Sequence, residues 1–433
     1  MSEVTIGLIG LGLLVAIFLT GMELGFVMAM LGFLGFAYLV SVKAALSMVS
    51  QDVLDVLASY AFTVVPCFVL MGQIAFNGGI AKHLYISAYK FLGHIPGGLA
   101  MATVGGATAF GSITGSSTAT TATFASVAIP EMDRYGYGKK LSSGIVAAAG
   151  TLGCLVPPSN PLIVYGIITE KSIGQLFVAS VIPGLMISLF FMSIIYGWCR
   201  INPSLGPKGE RSSWGERISS LKEVAPVGVI FIVVMGGMMK GFFTPTEAGA
   251  VGAFTVAIVA FVKRDINLNG IIKSMGESLV TTCMVILLIL GSTIFGHFIT
   301  VTKIPLFVGD WLLSLPLPPS IIVILIGFVY LVGGSFIDDL AFMILATPIF
   351  YPVIVRLGYD LIWFGIFLQI VVMIGIIIPP MAVSIFVVQN ITQVPILEIY
   401  LGVFPFLLSF AFCAFLLILF PQIVLFLPSL FAK

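Results

Sequence analysis

The sequence predicts an all-α polytopic membrane protein. Of its 433 residues, 59% are hydrophobic and only 9% are charged, and the mean hydropathy is +1.19. Soluble domains carry roughly 25% charged residues, so a soluble enzyme is excluded. Apolar stretches of about 17 to 25 residues recur along the whole chain, which is the length of a membrane-spanning helix and longer than a barrel strand. The lipid bilayer is therefore the expected surrounding of this chain.

Continuous apolar spans alternate with two interrupted apolar segments. The continuous spans are predicted at 4–20, 24–42, 56–78, 141–168, 174–198, 224–241, 245–262, 277–300, 361–393 and 399–427. The interrupted segments, 97–130 and 319–355, carry Gly, Ser, Thr or Asp at their centres. We interpret each of them as a re-entrant hairpin. A polar linker over 200–222 divides the chain into two halves of similar length.

The charge balance and the motifs exclude several classes of function. The chain has 19 Lys+Arg and 18 Asp+Glu, so it lacks the basic surplus of a nucleic-acid-binding protein. The three histidines are isolated, and neither HExxH nor GxxxxGK[ST] occurs. The five cysteines lie far apart in apolar surroundings and are interpreted as core residues. We therefore expect no catalytic residue, no organic cofactor and no metal other than a coupling cation.

An internal repeat relates the two halves of the chain. A shift of 222 positions superposes Pro130 on Pro352, Gly136-Tyr137 on Gly358-Tyr359, Gly153 on Gly375, and Pro157-Pro158 on Pro379-Pro380. Chance matching of common Gly and Pro residues is the alternative, but the order of apolar segments repeats as well. The predicted organisation is 1–50 as N-terminal scaffold spans, 51–200 as the first repeat, 201–275 as a cytoplasmic linker with two scaffold spans, and 276–433 as the second repeat.

The first interrupted segment holds small hydroxyl residues around two glycines. Its centre, from Gly111 to Thr121, reads GSITGSSTATT. An unwound turn at membrane depth is tolerated only when it is buried in protein or faces water. Carbonyl and hydroxyl oxygens suit an alkali cation, and helix N-termini suit an anion. The alternative is a face of small residues that packs helices together.

The second interrupted segment places Asp338 and Asp339 between two apolar arms. A carboxylate at the centre of a span costs roughly 2.5 to 3.5 kcal/mol on insertion scales unless a cation or donors satisfy it. We expect Asp338 to bind a cation. Asp339 is interpreted as the N-cap of the second arm.

Two pairs of prolines break apolar spans at equivalent places in the repeat, within 141–168 and 361–393. Consecutive prolines lack two N–H donors and free the carbonyls one turn earlier, so those oxygens become candidate cation ligands. A plain structural kink is the alternative. Inverted repeats with broken helices in corresponding positions indicate a midplane substrate site in secondary transporters.

Several stretches resemble the large membrane subunit of the tripartite ATP-independent periplasmic (TRAP) transporters, the DctM family. They read GSITGSSTAT, SVAIPEMDRYGY, AAGTLGCLVPPSNPLIVYG and GGSFIDDLAFMILATPIFYPV, and the N-terminal TGMELGFVMAMLGFLGF is also similar. The resemblance implies an inverted-repeat, elevator-type transporter of the bacterial inner membrane with two re-entrant helical hairpins and two Pro-Pro-interrupted helices. It also implies sodium-coupled import of organic acids of the dicarboxylate or sugar-acid class. The implied partners are a periplasmic substrate-binding protein and a small four-helix membrane subunit on a separate polypeptide.

The resemblance also implies two sodium sites and a substrate site. The first sodium site falls on Ser112, Ser116, Gly153, Val156 and Pro158. The second falls on Gly334, Asp338, Gly375, Ile378 and Pro380. Substrate is expected between the tips, near Ser117, Thr118, Asn160 and Asp338. Neither tip contains arginine, which leaves open the group that neutralises a substrate carboxylate; Lys303 is one candidate.

Two other functions are compatible with these residues. A stand-alone sodium/dicarboxylate carrier would share the paired hairpins without needing a binding protein. A non-transporting membrane scaffold subunit would use the midplane polar residues only to hold its helices together. Transport by this chain alone favours the first alternative, and the absence of saturable ion binding favours the second.

The distribution of basic residues predicts that both chain termini are periplasmic. The linker over 200–222 is rich in Lys and Arg, and the positive-inside rule makes it cytoplasmic. Following the spans from there places thirteen of the 19 basic residues inside. A reporter fused after Lys433 should therefore be active outside the cytosol; a fusion active only in the cytosol would show that this topology is wrong.

Overall fold

The structure, a computed structural model, describes residues 2–431, and these form helices without any strand. Eight of the described helices are long and apolar enough to cross a membrane. This confirms the prediction of an all-α polytopic membrane protein. The expectations about the terminal residues Met1 and Lys433 lie outside the described residues.

We name as the scaffold the seven helices that include the closely packed pair α2 and α13. They are α1 (Glu3–Phe18), α2 (Leu24–Leu39), α3 (Val42–Ala58), α4 (Val64–Asn77), α11 (Trp214–Met239), α12 (Pro245–Val262) and α13 (Leu268–Val301). α13 packs along both α2 and α4, α12 packs on α4 and α11, and α1 and α3 flank α2. Glycine allows the α2–α13 contact, because a Cβ at Gly32 would lie 2.7 Å from the backbone of Phe295.

The remaining helices form a core that contains both hairpins and both interrupted helices. Those of the first half are α5 (Ile80–Leu92), α6 (Gly98–Thr114), α7 (Ser117–Arg134), α8 (Lys139–Gly150), α9 (Asn160–Ile168) and α10 (Ile173–Ile201). Those of the second half are α14 (Ile304–Ser314), α15 (Pro319–Phe336), α16 (Asp339–Arg356), α17 (Leu361–Gly375), α18 (Val383–Thr392), α19 (Ile396–Leu419) and α20 (Gln422–Phe431). The hairpins are α6–α7 and α15–α16, and the interrupted helices are α8–α9 and α17–α18.

The two halves repeat each other in structure as they do in sequence. A shift of 222 residues places α7 on α16 from end to end and aligns the first residues of α8 and α17. The packing is reciprocal, because α16 contacts α9 while α7 contacts α18, and α8 contacts α19 while α17 contacts α10. Both proline pairs form cis peptide bonds at the equivalent breaks. The hairpins and breaks thus occupy matching places in a pair of interlocked repeats.

The helices differ from the sequence prediction in several places. The apolar stretch 399–427 is not one span, because the helix ends at Leu419 and the chain passes through Pro421, which has no N–H to donate. The polar stretch 200–222 is helical from Trp214 onward, where Ser213 and Glu216 form a capping box. The amphipathic helix α3 was not predicted as a separate element.

The linker ahead of α11 is held against the core rather than free. Leu205 O and Gly206 O accept backbone hydrogen bonds of 3.0 and 2.9 Å from the residues that precede α8 and α6, and Gly209 N donates over 2.8 Å to the residue that follows α5. Tyr137 Oη adds a bond of 3.0 Å to Pro207 O. These contacts fix the linker to the core through residue 209.

Helices α8 and α19 cross at a pair of glycines. A Cβ at Gly144 would lie 2.6 Å from Gly402 Cα, and a Cβ at Gly402 would collide with Lys140 O. The backbones of α8 and α19 are in direct contact here, so neither helix can make room for a side chain unless the whole helix moves. Glycine is required at this crossing for its lack of a side chain.

Gly144→Ala should therefore destabilise the protein by about 1–3 kcal/mol, the usual cost of overpacking. Thermal unfolding of the purified protein measures this effect. The matched control is Gly197→Ala in α10, where an added Cβ meets no atom within 4 Å. Equal melting temperatures for the two variants would show that the α8–α19 crossing is not tight.

Candidate ion and substrate site at the two hairpin tips

The first hairpin tip is closed by its own hydroxyl groups. α6 ends at Thr114, Gly115 adopts the left-handed conformation (φ 62°), and Ser116 caps α7 by accepting a hydrogen bond of 3.3 Å from Ala119 N. The hydroxyl oxygens of Thr114 and Thr120 are 3.1 Å apart, and Thr120 also donates to Ser116 O over 2.8 Å. Side chains therefore satisfy part of the turn's backbone inside the protein.

This tip lies directly on the break between α8 and α9. A Cβ at Gly153 would lie 2.5 Å from Ser116 O, and one at Gly111 would lie 2.8 Å from Gly153 Cα. A Cβ at Gly115 would lie 2.8 Å from Pro158 O. The contact is therefore made by backbone atoms, including carbonyl oxygens from both segments.

The predicted first sodium site is brought together in part by this contact. Ser116, Gly153 and Pro158 meet there. Ser112 instead donates its hydroxyl to Ala109 O, one turn back in its own helix, over 2.7 Å. Ser112 and Val156 both line a neighbouring cavity of about 500 Å³.

The predicted substrate residues of the first half lie around the same tip. Asn160 N donates to Gly115 O over 3.3 Å, and Asn160 Oδ1 is buried with no hydrogen-bond partner among the described residues. Ser117 is buried in the first turn of α7, whereas Thr118 beside it is exposed. The N-termini of α7 and α9 therefore meet at Gly115.

The second tip has the same relation to the second break. A Cβ at Gly375 would lie 2.9 Å from Ser335 N and 3.0 Å from Gly334 O, and Met381 N donates to Ser335 O over 3.0 Å. Gly334 and Gly375, both predicted for the second sodium site, are thus in contact. Ile378 N donates to Gly375 O over 3.3 Å. Of the other predicted residues, Ile378 is half-buried and Pro380 is exposed within the break.

The two aspartates at the second tip have different surroundings. Asp338 occupies the N-cap position of α16, makes no side-chain capping bond and is exposed. It lines a cavity of about 380 Å³ together with Glu23 at the turn between α1 and α2, and with residues of α13. Asp339 is the first residue of α16 and is buried. The interpretation of Asp339 as the N-cap was therefore wrong, because the helix begins one residue earlier than that reading requires.

Sequence reasoning missed a buried polar cluster between the two halves. Gln369 Nε2 donates to Cys154 Sγ over 3.1 Å, and the carboxyl group of Asp339 lies beside the same sulfur. Cys154 was interpreted only as a core residue. Gln369 could have been noticed as the single amide in the apolar run LIWFGIFLQIVVMIG of α17.

Lys303 is not brought to either tip. It stands at the N-terminus of α14, where its Nζ atom forms an ion pair of 2.7 Å with Glu3 Oε2 of α1. Among the described residues, the ion pairs include neither Asp338 nor Asp339. No described side chain therefore neutralises the carboxylates of the second tip.

Thr120→Val should destabilise the first tip, because it removes the bonds to Thr114 and to Ser116 O while keeping the size of the side chain. We expect a loss of about 1–3 kcal/mol in the free energy of unfolding. The control is Thr123→Val, since Thr123 donates only to Ala119 O of its own helix over 2.7 Å. If both variants melt at the same temperature, the hydroxyl bonds across the tip do not stabilise it.

Comparisons with known proteins agree with this architecture. The model of the family described as tripartite ATP-independent periplasmic transporter, DctM component, matches residues 11–423 of this chain. The chain is 36% identical over 371 residues to the C4-dicarboxylate TRAP transporter large permease protein DctM of Pseudomonas aeruginosa, covering 86% of each chain. It is 32% identical over 424 residues to the sialic acid TRAP transporter large permease protein SiaM of Vibrio cholerae, covering 97% of each.

A solved structure shares the fold at low sequence identity. It is the YdaH transporter of Alcanivorax borkumensis, described as having an unusual topology, with a TM-score of 0.59 and 14% identity over 88% of this chain and 89% of that chain. This likeness concerns the fold alone. The family match and the relatives go further: this multi-pass membrane protein belongs to the DctM family, the large permeases of the tripartite ATP-independent periplasmic transporters.

Proposed function

We propose that this chain is the translocating subunit of a sodium-coupled importer of organic acids, of the dicarboxylate or sugar-acid class, in the bacterial inner membrane. A periplasmic substrate-binding protein delivers the acid, and a small four-helix membrane subunit completes the complex. The observation that carries the proposal is the pair of equivalent tips, each in backbone contact with a Pro-Pro break.

The breaks supply oxygen ligands of the type that sodium prefers. A proline has no N–H, so the carbonyls one turn before each pair lose their usual helical donors. Cys154 O accepts instead from Ser159 Oγ, and Gly375 O accepts from Ile378 N. Each of these carbonyl oxygens keeps a second lone pair that can bind a cation.

In the proposed first site these carbonyls are joined by oxygens of Ser112 and Ser116. In the proposed second site they are joined by Gly334 O and the carboxylate of Asp338. Half-helix ends and unwound carbonyls serve this purpose in secondary transporters.

Charge supports a cation at the second tip. Asp338 has no ion-pair partner among the described residues, and it faces a cavity that includes a second carboxylate, Glu23. Two sodium ions with a dianionic substrate form an electroneutral load. Each additional positive charge would be driven inward by about 2.3 kcal/mol per 100 mV of membrane potential.

The substrate carboxylate is proposed to bind where the N-termini of α7 and α9 meet. Helix N-termini offer free N–H groups and the positive end of the helix dipole to an anion. Ser117, Thr118 and Asn160 stand in the first turns of these helices. This arrangement offers neutralisation without an arginine in either tip.

Movement of the core against the scaffold is proposed to carry the load across the membrane. The cavity beside Ser112 is also lined by Phe231 of α11, and the cavity beside Asp338 is also lined by α1, α2 and α13. Each tip thus borders a cavity on one side, while Thr114 of the first tip contacts Gly72 of α4 and Ile337 of the second tip packs among scaffold residues. An elevator-type displacement is proposed to exchange these contacts in one step, because a packed interface changes between discrete arrangements and is not continuously deformable.

The decisive experiment is uptake of labelled C4-dicarboxylates and sugar acids into vesicles that contain this chain and its small subunit. Uptake is measured with and without a sodium gradient and with and without the binding protein. Uptake that needs all of these components supports the proposal. Sodium-driven uptake without the binding protein would replace it with a stand-alone carrier, and no saturable ion binding would favour a scaffold subunit.

Asp338→Asn should raise the sodium concentration for half-maximal uptake by about tenfold or more, equivalent to at least about 1.4 kcal/mol. The substitution keeps the size of the side chain and removes only its charge. Asp55→Asn, at an exposed position of the scaffold helix α3, is the control and should leave the sodium dependence unchanged. Wild-type sodium dependence in Asp338→Asn would remove Asp338 from the proposed site.

A further inference from the structure

A buried polar cluster joins the two repeats beside the proposed cation sites. Its members are Cys154 in the first break, Asp339 at the second tip and Gln369 in α17. Cys154 and Gln369 are 0% exposed and Asp339 is 5% exposed. The sulfur of Cys154 accepts a bond of 3.1 Å from Gln369 Nε2 and lies beside the carboxyl group of Asp339.

The cluster leaves two oxygens without partners. Asp339 Oδ1 accepts a bond of 2.9 Å from Leu340 N, whereas Asp339 Oδ2 and Gln369 Oε1 are buried with no hydrogen-bond partner among the described residues. A buried carboxylate without a compensating charge is unfavourable by several kcal/mol in general. In such surroundings its field also extends farther than it would in water.

The cluster is adjacent to both proposed cation sites. Cys154 directly follows Gly153, whose Cβ position faces Ser116 O of the first tip. Asp339 directly follows Asp338 of the second tip. α16, which begins with Asp339, packs on α9 of the first repeat. The cluster therefore has one member within one residue of each site.

The fold itself does not require these polar groups. The shift of 222 residues places Ile376 at the position equivalent to Cys154, Ala147 at that of Gln369, and Ser117 at that of Asp339. The equivalent positions of the other half are thus occupied by uncharged residues. A carboxylate, an amide and a thiol on only one side of the repeat point to a role other than packing.

We propose that Asp339 is a counter-charge shared by the two cation sites, and that Cys154 and the Gln369 amide bonded to it are positioning residues beside its carboxylate. The inference rests on the proposed function, since it presupposes sodium at both tips. Asp339 attracts a cation to either tip through the protein interior, without ligating it. The sulfur of Cys154 is oriented by its bonds to Gln369 Nε2 and to Thr151 O, and it packs beside the carboxyl group of Asp339.

The proposal is tested by sodium titration of the purified complete protein, with choline chloride holding the ionic strength constant. Asp339→Asn should weaken sodium binding at both sites by about tenfold. The discriminating comparison is Asp338→Asn against Asp338→Asn/Asp339→Asn, because the first substitution disables the second site and leaves the first to be measured. The double variant should bind the remaining sodium about tenfold more weakly than Asp338→Asn.

The positioning residues have their own variants. Cys154→Ala should weaken sodium binding by a few fold, and Cys154→Ser, which keeps a polar atom there, should restore most of it. Cys413→Ala, at a buried cysteine of α19, is the control for loss of a thiol. Melting temperatures in choline buffer separate misfolded variants from those with altered ion binding.

The outcomes distinguish the two proposals. Equal first-site affinity in Asp338→Asn and in the double variant overturns the shared counter-charge and leaves sodium coupling intact. Wild-type protein that binds no sodium overturns both. If Cys154→Ala and Cys154→Ser bind sodium as the wild type does, while the Asp339 effect persists, the positioning role of Cys154 is wrong.

Discussion

Contact between backbone and backbone at the two tips is the interaction on which the rest of this structure depends. Each break leaves carbonyls without helical partners at membrane depth, and lipid offers no donor to replace them. The tips cover these carbonyls only because Gly111, Gly115, Gly334 and Gly375 present no side chain. The reciprocal packing of α7 on α18 and of α16 on α9 keeps both hairpin tips against the breaks. Without this close approach the breaks would need water to satisfy their carbonyls, because the paired prolines prevent a continuous helix.

The two hairpin tips cover the breaks with different types of turn. The first turn uses Gly115 in the left-handed conformation and a serine cap, whereas the second passes through extended Ile337 and places a carboxylate at the cap position. A shift of 222 residues aligns Ser116 with Asp338. The same position thus provides a neutral capping hydroxyl in one half and an uncapped, exposed charge in the other. Similar backbones therefore create two chemically distinct sites.

Much of this architecture could be predicted from the sequence, because glycine and proline act locally. The hairpins, both breaks and the 222-residue repeat follow from where the chain can bend and which carbonyls lose their donors. The contact of Gln369 with Cys154 could not be predicted, since it joins residues 215 positions apart and depends on how two repeats interlock. The N-cap of α16 was assigned to Asp339 incorrectly for a smaller reason. The helix starts one residue earlier than expected, which makes Asp338 the exposed N-cap residue and Asp339 the buried first residue of the helix.

The docked linker has a mechanical consequence for any displacement of the core. Hydrogen bonds at Leu205, Gly206 and Gly209 fasten the linker to the core, while Ser213 begins the capping box of the scaffold helix α11. Only four residue steps separate Gly209 from Ser213, and a fully extended chain gains at most about 3.3–3.6 Å per residue. This tether is therefore shorter than about 15 Å at full stretch. Any displacement of the core against α11 would therefore keep Gly209 within about 15 Å of Ser213, unless the bond between Gly209 N and Gly93 O breaks first.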